Sequence, residues 1–138
     1  MSNRVIGLSA VVFSLIYLVS DLVELAQGGF STFQLVLTYV AEAAIPLFVL
    51  GLYAAQRPLI GWLGFAGAVG YAYAYVFFTA TVVLALVDGI PDWPTLAARL
   101  APWITLHGVV LVAAGVAFGV AVARAGVLPA WTGWLLVA

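Results

Sequence analysis

The sequence predicts an all-α integral membrane protein: a bundle of four transmembrane helices with a short outer interfacial helix and a C-terminal apolar stub. The first observation is composition, since the 138 residues are 67% hydrophobic and only 7% charged, against roughly 25% charged residues in a soluble domain. A soluble fold with so few charges would expose large apolar patches that aggregate. The second observation is that the apolar residues form long runs separated by turn residues. The length is that of a single polytopic domain, residues 1–138.

Four stretches reach the roughly 20 apolar residues that a spanning helix needs. They are residues 5–26, 33–55, 61–87 and 102–123. Turn-forming residues interrupt the runs at 27–29, 56–58 and 88–92. Strands are excluded because an open sheet leaves backbone groups unpaired in lipid, and a closed barrel needs more strands than this length provides.

Two shorter segments complete the scheme. Residues 94–100 lie between prolines and near Trp93 and Trp103, and tryptophan favours the headgroup region of a bilayer. We therefore expect a short helix at the outer interface. The apolar residues 131–138 are too few to span, so they either lie at the inner interface or begin a fifth helix.

The arginines predict the orientation, because short cytoplasmic loops carry an excess of basic residues. If all four stretches span, Arg4, Arg57 and Arg124 fall on one side and Arg99 falls on the other. Both termini are then cytoplasmic, unless the last residues begin another crossing. The abundance of Ala, Val, Leu and Gly suggests a bacterial source, so we expect the cytoplasmic (inner) membrane.

Four ionisable residues fall within the predicted spans: Asp21, Glu24, Glu42 and His107. A carboxylate at the bilayer centre costs at least ~2.5–3.5 kcal/mol on insertion scales, so such residues usually face the bundle interior and serve a function. Glu42 is the deepest of them, roughly 15 Å below the outer helix ends at 1.5 Å per residue. Pro46 lacks the N–H that would bond the Glu42 carbonyl, so the sequence also predicts a kink here.

Each predicted helix carries a polar or aromatic stripe at helical spacing. The stripes are Ser14, Tyr17, Asp21 and Glu24 in the first helix; Ser31, Gln34, Thr38 and Glu42 in the second; Gly64, Gly67, Tyr71 and Tyr75 in the third; and Trp103 and His107 in the fourth. If the stripes face one another, they line a pocket in the outer half of the bundle.

This pattern favours a pocket, open to the outer leaflet, for a small, partly apolar molecule such as a lipid or isoprenoid. Acid–base chemistry is expected there, with Glu42 as the deep acid, Asp21 or Glu24 as the partner carboxylate, and His107 as proton acceptor or ligand anchor. Isomerisation, cyclisation or epoxide opening fits these groups better than hydrolysis through a covalent intermediate. The predicted ligand-binding residues are Tyr17, Gln34, Thr38, Tyr39, Tyr71, Tyr75 and Trp103.

Other functions remain open at this stage. The same residues describe proton-coupled transport by a homo-oligomer, or a structural subunit whose polar stripes fasten helices within a larger assembly. Gly115 and Gly119 have the spacing of a helix-pairing motif, which would suit a homodimer. The absence of cysteine excludes thiolate sites, the absence of a basic stripe argues against nucleic acid, and no motif predicts a metal or cofactor.

Overall fold

The computed structural model describes the backbone of residues 3–136 and, within it, the side chains of residue 8, residues 11–134 and residue 136. In this part of the chain the fold is all-helical, as predicted. The helices are α1 (Asn3–Gln27), α2 (Thr32–Ala55), α3 (Gly61–Asp88), α4 (Trp93–Leu100), α5 (Trp103–Ala125) and α6 (Ala130–Leu135). The Arg4 side chain and the last two residues of the predicted stub, 137–138, lie outside the described residues.

Three of the helices, α2, α3 and α5, are long and apolar enough to cross a membrane, with mean hydropathies of 2.0, 1.8 and 2.2 over their most apolar windows. Large apolar side chains on them stay exposed, including Leu47, Trp62 and Val112. Exposing so many apolar groups to water is unfavourable, whereas contact with lipid is not. The ends of α2, α3 and α5 lie within two residues of the predicted spans.

The connections explain why the helices end where they do. Gly28 follows α1 and Gly89 follows α3, with φ of 71° and 63°. Glycine adopts this left-handed conformation without the steric cost that a Cβ brings. The short α4 begins after Asp92, whose side chain accepts a hydrogen bond from the Thr95 backbone N–H at 2.8 Å. Asp92 thus caps the helix.

The chain divides into two compact units. The first combines the chain up to Ile45 with Tyr75–Thr105, and the second combines Pro46–Ala74 with the chain from Leu106 onward. The division within α2 falls at Pro46, the position of the predicted kink, although α2 continues through it as one helix.

In the first unit an apolar core joins α2, the end of α3 and α4. Its buried members are Leu35, Val82, Ala85, Ile90 and Leu96. Leu96 is the buried residue of α4, and Leu100 at the end of the helix is partly buried against the same core, while Pro94, Thr95 and Ala98 remain exposed. An ion pair between Arg99 and Asp88 at 2.5 Å also joins α4 to the end of α3.

In the second unit small residues bring the helices close together. A Cβ on Gly67 would lie 2.6 Å from the Phe118 backbone nitrogen, so only glycine fits where α3 meets α5. A Cβ on Gly133 of α6 would likewise meet the Gly119 carbonyl. Gly115 lies against the Tyr71 ring. The predicted helix-pairing motif therefore makes contacts inside this unit.

Candidate functional site

A cavity of about 180 Å³ lies in the first unit, between α1, α2, α3 and α4. The polar residues predicted from the stripes of α1 and α2 line it together. They are Tyr17, Asp21, Glu24, Gln34, Thr38 and Glu42. Helix α3 contributes Phe78, Thr81 and Val82, and α4 contributes Trp93 and Leu96. Polar groups from two helices thus face apolar and aromatic groups from two others.

Glu42 is one of the most buried polar groups of the cavity, only 6% exposed. Its Oε1 faces the Tyr17 hydroxyl at 3.5 Å, the outer limit of a hydrogen bond. Its Oε2 is buried and has no hydrogen-bond partner among the described residues. Buried polar groups in folded proteins are nearly always paired, so an unpaired oxygen on a residue that lines a cavity needs a partner.

A second polar cluster fastens α1 to α2 beside this carboxyl group. The Ser20 hydroxyl, which is fully buried, lies 3.0 Å from the Gln34 carbonyl oxygen and 2.5 Å from Thr38 Oγ1. The Gln34 amide nitrogen faces Ser20, Thr38 and Glu24 at 3.2, 3.0 and 3.1 Å. These groups satisfy one another, and therefore form structural contacts as well as part of the cavity wall.

Gln34 nonetheless leaves one acceptor unused. The residue is 2% exposed, and its Oε1 has no partner among the described residues. The orientation of the amide is fixed by its neighbours, because a flipped amide would place this oxygen against the Glu24 carboxylate. The cavity therefore has two unpaired buried acceptors, one on Gln34 and one on Glu42.

A wider groove of about 470 Å³ adjoins the cavity, sharing Asp21, Glu24 and Trp93 with it. The groove adds Asp92 from the cap of α4, together with Gly28 and Gly29 between α1 and α2. The Thr95 hydroxyl and the Thr95 backbone N–H hold the pKa of Asp92 below its usual range. Asp92 thus stays a carboxylate at neutral pH, and the groove is acidic.

The charges of the chain are unevenly divided between the two units. All five acidic residues belong to the first unit. Arg99 is the only basic residue whose side chain is described there, and it pairs with Asp88 outside the cavity lining. Among the described side chains, the cavity and groove therefore combine several carboxyl groups with no basic group.

Other predicted site residues lie elsewhere. Tyr39 and Trp103 are 42% and 57% exposed, and neither belongs to the cavity lining. Tyr75 lies one turn before Phe78 in α3 and is also outside the lining. For these three residues, the predicted role as aromatic walls of the pocket receives no support from this cavity.

Tyr71 and His107 belong to the second unit. His107 is 7% exposed, and its Nε2 lies 3.0 Å from the Tyr73 hydroxyl. This contact accounts for a buried histidine on structural grounds, and the predicted function of His107 as a proton acceptor stays a prediction.

Several lining or supporting residues were missed from the sequence, and Ser20 is the clearest case. It lies three residues after Tyr17 and four before Glu24, so the spacing that selected Asp21 selects Ser20 equally well. The position of Trp93 beside the predicted short helix indicated a place near the site, but Trp103 has the same kind of position, so the sequence could not show which of the two lines the cavity. Phe78 and Thr81 had none, because isolated apolar and hydroxyl residues are common in spanning helices.

Among the described side chains, no group of three or more His, Asp or Glu residues is placed to hold a metal ion. No family model, curated protein or solved structure matches the chain. The geometry of the cavity is thus the evidence on which a function can be argued.

Proposed function

We propose that this protein is a membrane-embedded small-molecule binding protein, with the cavity of the first unit as its pocket. The observation that carries the proposal is the Glu42 carboxyl group, which lines the cavity and whose buried Oε2 has no hydrogen-bond partner among the described residues. A polar group in lipid needs a partner, and leaving one unsatisfied costs about 1–3 kcal/mol. A bound molecule that pairs with Glu42 would remove this cost.

The size of the cavity limits what it can hold. Its volume of about 180 Å³ is close to the ~150 Å³ of an apolar cavity that binds benzene, and well below the ~300–1,000 Å³ of pockets for drug-sized ligands. The pocket thus takes a small molecule, or one end of a longer one. The adjoining groove, which shares Asp21, Glu24 and Trp93, would receive the remainder.

The membrane arrangement belongs to the same proposal. In it α1 is a fourth span, the N-terminus is cytoplasmic, and α4 lies at the outer interface of a bacterial inner membrane. The proposed outer side has one arginine, Arg99 of α4, whereas the proposed cytoplasmic side has both Arg57 and Arg124, and this excess supports the orientation. The groove beside α4 would then open toward the outer leaflet.

Acid–base chemistry is the catalytic form of the proposal. Glu42 would act as the acid and Asp21 or Glu24 as the partner carboxylate, since all three line the same cavity. A reaction such as isomerisation, cyclisation or epoxide opening needs only a proton donor and an acceptor placed on either side of the substrate.

A structural function is the second candidate, and the Ser20–Gln34–Thr38 cluster favours it. These three side chains hydrogen-bond across α1 and α2, which is how polar residues fasten helices in membranes. The cluster accounts for Gln34 Nε2 and both hydroxyls, but it leaves Gln34 Oε1 and Glu42 Oε2 unpaired. The two unpaired oxygens are the reason to prefer ligand binding.

A matched pair of substitutions tests whether the cavity is a pocket. The Thr81 hydroxyl donates to the Phe78 carbonyl and the Thr79 hydroxyl to the Tyr75 carbonyl, so each bonds only within α3. Thr81 lines the cavity and Thr79 does not. Thr81→Leu therefore reduces the cavity with a bulkier apolar side chain, whereas Thr79→Leu removes an equivalent hydroxyl and leaves the cavity unchanged.

The measurement is native mass spectrometry of each variant released from the membranes in which it is expressed. The wild type and Thr79→Leu should retain a bound small molecule, and Thr81→Leu should lose it. The same bound mass in Thr81→Leu as in the wild type would overturn the proposal. The proposal would also be overturned if none of the three proteins carried a bound molecule, because the cavity would then have no ligand in the membrane from which the protein was released.

A further inference from the structure

The unpaired groups of the cavity also define the chemistry of its ligand, an inference that rests on the proposed function. The hydroxyl and side-chain amide donors described in the lining already face acceptors. The Thr81 hydroxyl bonds the Phe78 carbonyl and the Tyr17 hydroxyl faces Glu42. An amide nitrogen has only two hydrogens, and that of Gln34 already faces three acceptors.

The acceptors are in surplus. Glu42 Oε2 and Gln34 Oε1 are buried and unpaired among the described residues, and both residues line the cavity. Two carboxyl groups, those of Asp21 and Glu24, lie in the same lining, and none of the side chains described there is basic. With Glu42 ionised, a ligand that pairs with both oxygens must therefore donate at least two hydrogen bonds.

The charged and aromatic groups of the site also favour a positively charged ligand. Asp92 adds a third acidic group at the groove, together with Asp21 and Glu24. Trp93 lines both the groove and the cavity, and an indole ring attracts a cation through its electron-rich face. An anion would meet several carboxyl groups with no compensating base, so it is excluded on electrostatic grounds.

We infer that the cavity binds a small ammonium ion that carries N–H groups, a protonated primary amine, with a small apolar body that packs against the aromatic side chains of the lining. The ammonium hydrogens bond Glu42 Oε2 and Gln34 Oε1. Both oxygens belong to residues at least nine-tenths buried, so solvent competes weakly for these bonds. A quaternary ammonium has the charge but no N–H donor, and it fits this wall less well.

The test compares four probes that share a phenylethyl body: 2-phenylethylammonium, its trimethylated quaternary analogue, 2-phenylethanol and 3-phenylpropionate. Binding to the full chain in detergent is measured by isothermal titration calorimetry at neutral pH. The primary ammonium should bind most tightly, the quaternary ion and the alcohol more weakly, and the carboxylate not at all. Micelle partitioning is controlled by comparison with Thr81→Leu, whose cavity is reduced by the bulkier side chain.

Two isosteric variants locate the site. Glu42→Gln removes a carboxyl group of the cavity, and should weaken 2-phenylethylammonium by about ten- to a hundredfold, the usual worth of a hydrogen bond to a charged group. Asp88→Asn removes a negative charge from the same unit outside the cavity lining, and should change the affinity less than twofold.

The outcomes separate this inference from the proposed function. If 2-phenylethanol binds as tightly as the ammonium, and Thr81→Leu abolishes both, the pocket stands and the cation is refuted. If Asp88→Asn weakens the ammonium as much as Glu42→Gln does, a general charge effect replaces the site. If no probe binds more tightly to the wild type than to Thr81→Leu, the ammonium site and the pocket both fail.

Discussion

The hydrogen-bond cluster between α1 and α2 gives the sharpest prediction about stability, because the sequence pattern and the structure place different serines of α1 inside. The sequence stripe puts Ser14 inward. The structure buries Ser20 completely and leaves Ser14 exposed. The two serines are six residues apart in one helix, so the same substitution at each position compares the two faces directly.

The magnitude for Ser20→Ala follows from its contacts. Without Ser20 Oγ, the Gln34 amide hydrogens still face Glu24 Oε2 at 3.1 Å and Thr38 Oγ1 at 3.0 Å. The Thr38 hydroxyl still reaches the Gln34 carbonyl at 3.2 Å. No buried group loses its last partner, so the cost is that of the interhelical bonds alone, about 0.6–1.7 kcal/mol.

Ser14→Ala should leave the free energy of unfolding unchanged within about 0.5 kcal/mol, as is usual for an exposed position. The assay is equilibrium unfolding of the purified chain in mixed micelles, as the fraction of sodium dodecyl sulfate is raised. A cost for Ser14→Ala equal to or above that for Ser20→Ala would refute the observed face of α1, and with it the cavity wall that this face provides.

Three further predictions follow from other parts of the chain. Glu42→Gln should change the unfolding free energy by no more than about 1 kcal/mol while lowering acid-catalysed turnover by about 10²–10⁴-fold. A variant with the stability and the full activity of the wild type would refute the proposal that Glu42 is the acid. Gly67→Ala should lower the free energy of unfolding by about 1–3 kcal/mol through overpacking. A Cβ added at Gly51 would have no atom within 4 Å, so Gly51→Ala should be neutral or stabilising by up to about 1 kcal/mol. Thermal unfolding measures both variants, and an equal effect would contradict the close packing at Gly67. In whole cells an impermeant maleimide should label Gln27→Cys but not Leu59→Cys, since the chain has no native cysteine and both positions are exposed; the reverse would invert the predicted orientation.

The helices were predictable because long apolar runs and turn residues determine them almost alone. Each of α2, α3 and α5 needs only length and hydropathy to be recognised, and Gly28 and Gly89 mark helix ends through a backbone preference that is local. The short α4 was recognisable from its flanking prolines and tryptophans.

The site was less predictable because it depends on helix rotation and on distances that the sequence does not contain. Spacing alone allowed either Asp21 or Ser20 at the centre of the inner face of α1, and the structure buries Ser20. The stripe of α2 was correct because Gln34, Thr38 and Glu42 all lie on its buried face. Which polar groups are paired and which are unpaired can be seen only in the folded structure, since Gln34 has a paired Nε2 and an unpaired Oε1.

An experimental structure of the chain extracted from its native membrane tests the central claim most directly. The claim predicts density for a non-protein molecule in the cavity, with a nitrogen about 2.7–3.2 Å from both Glu42 Oε2 and Gln34 Oε1. A cavity closed by protein side chains that pair those two oxygens, or one occupied by water alone, would contradict it.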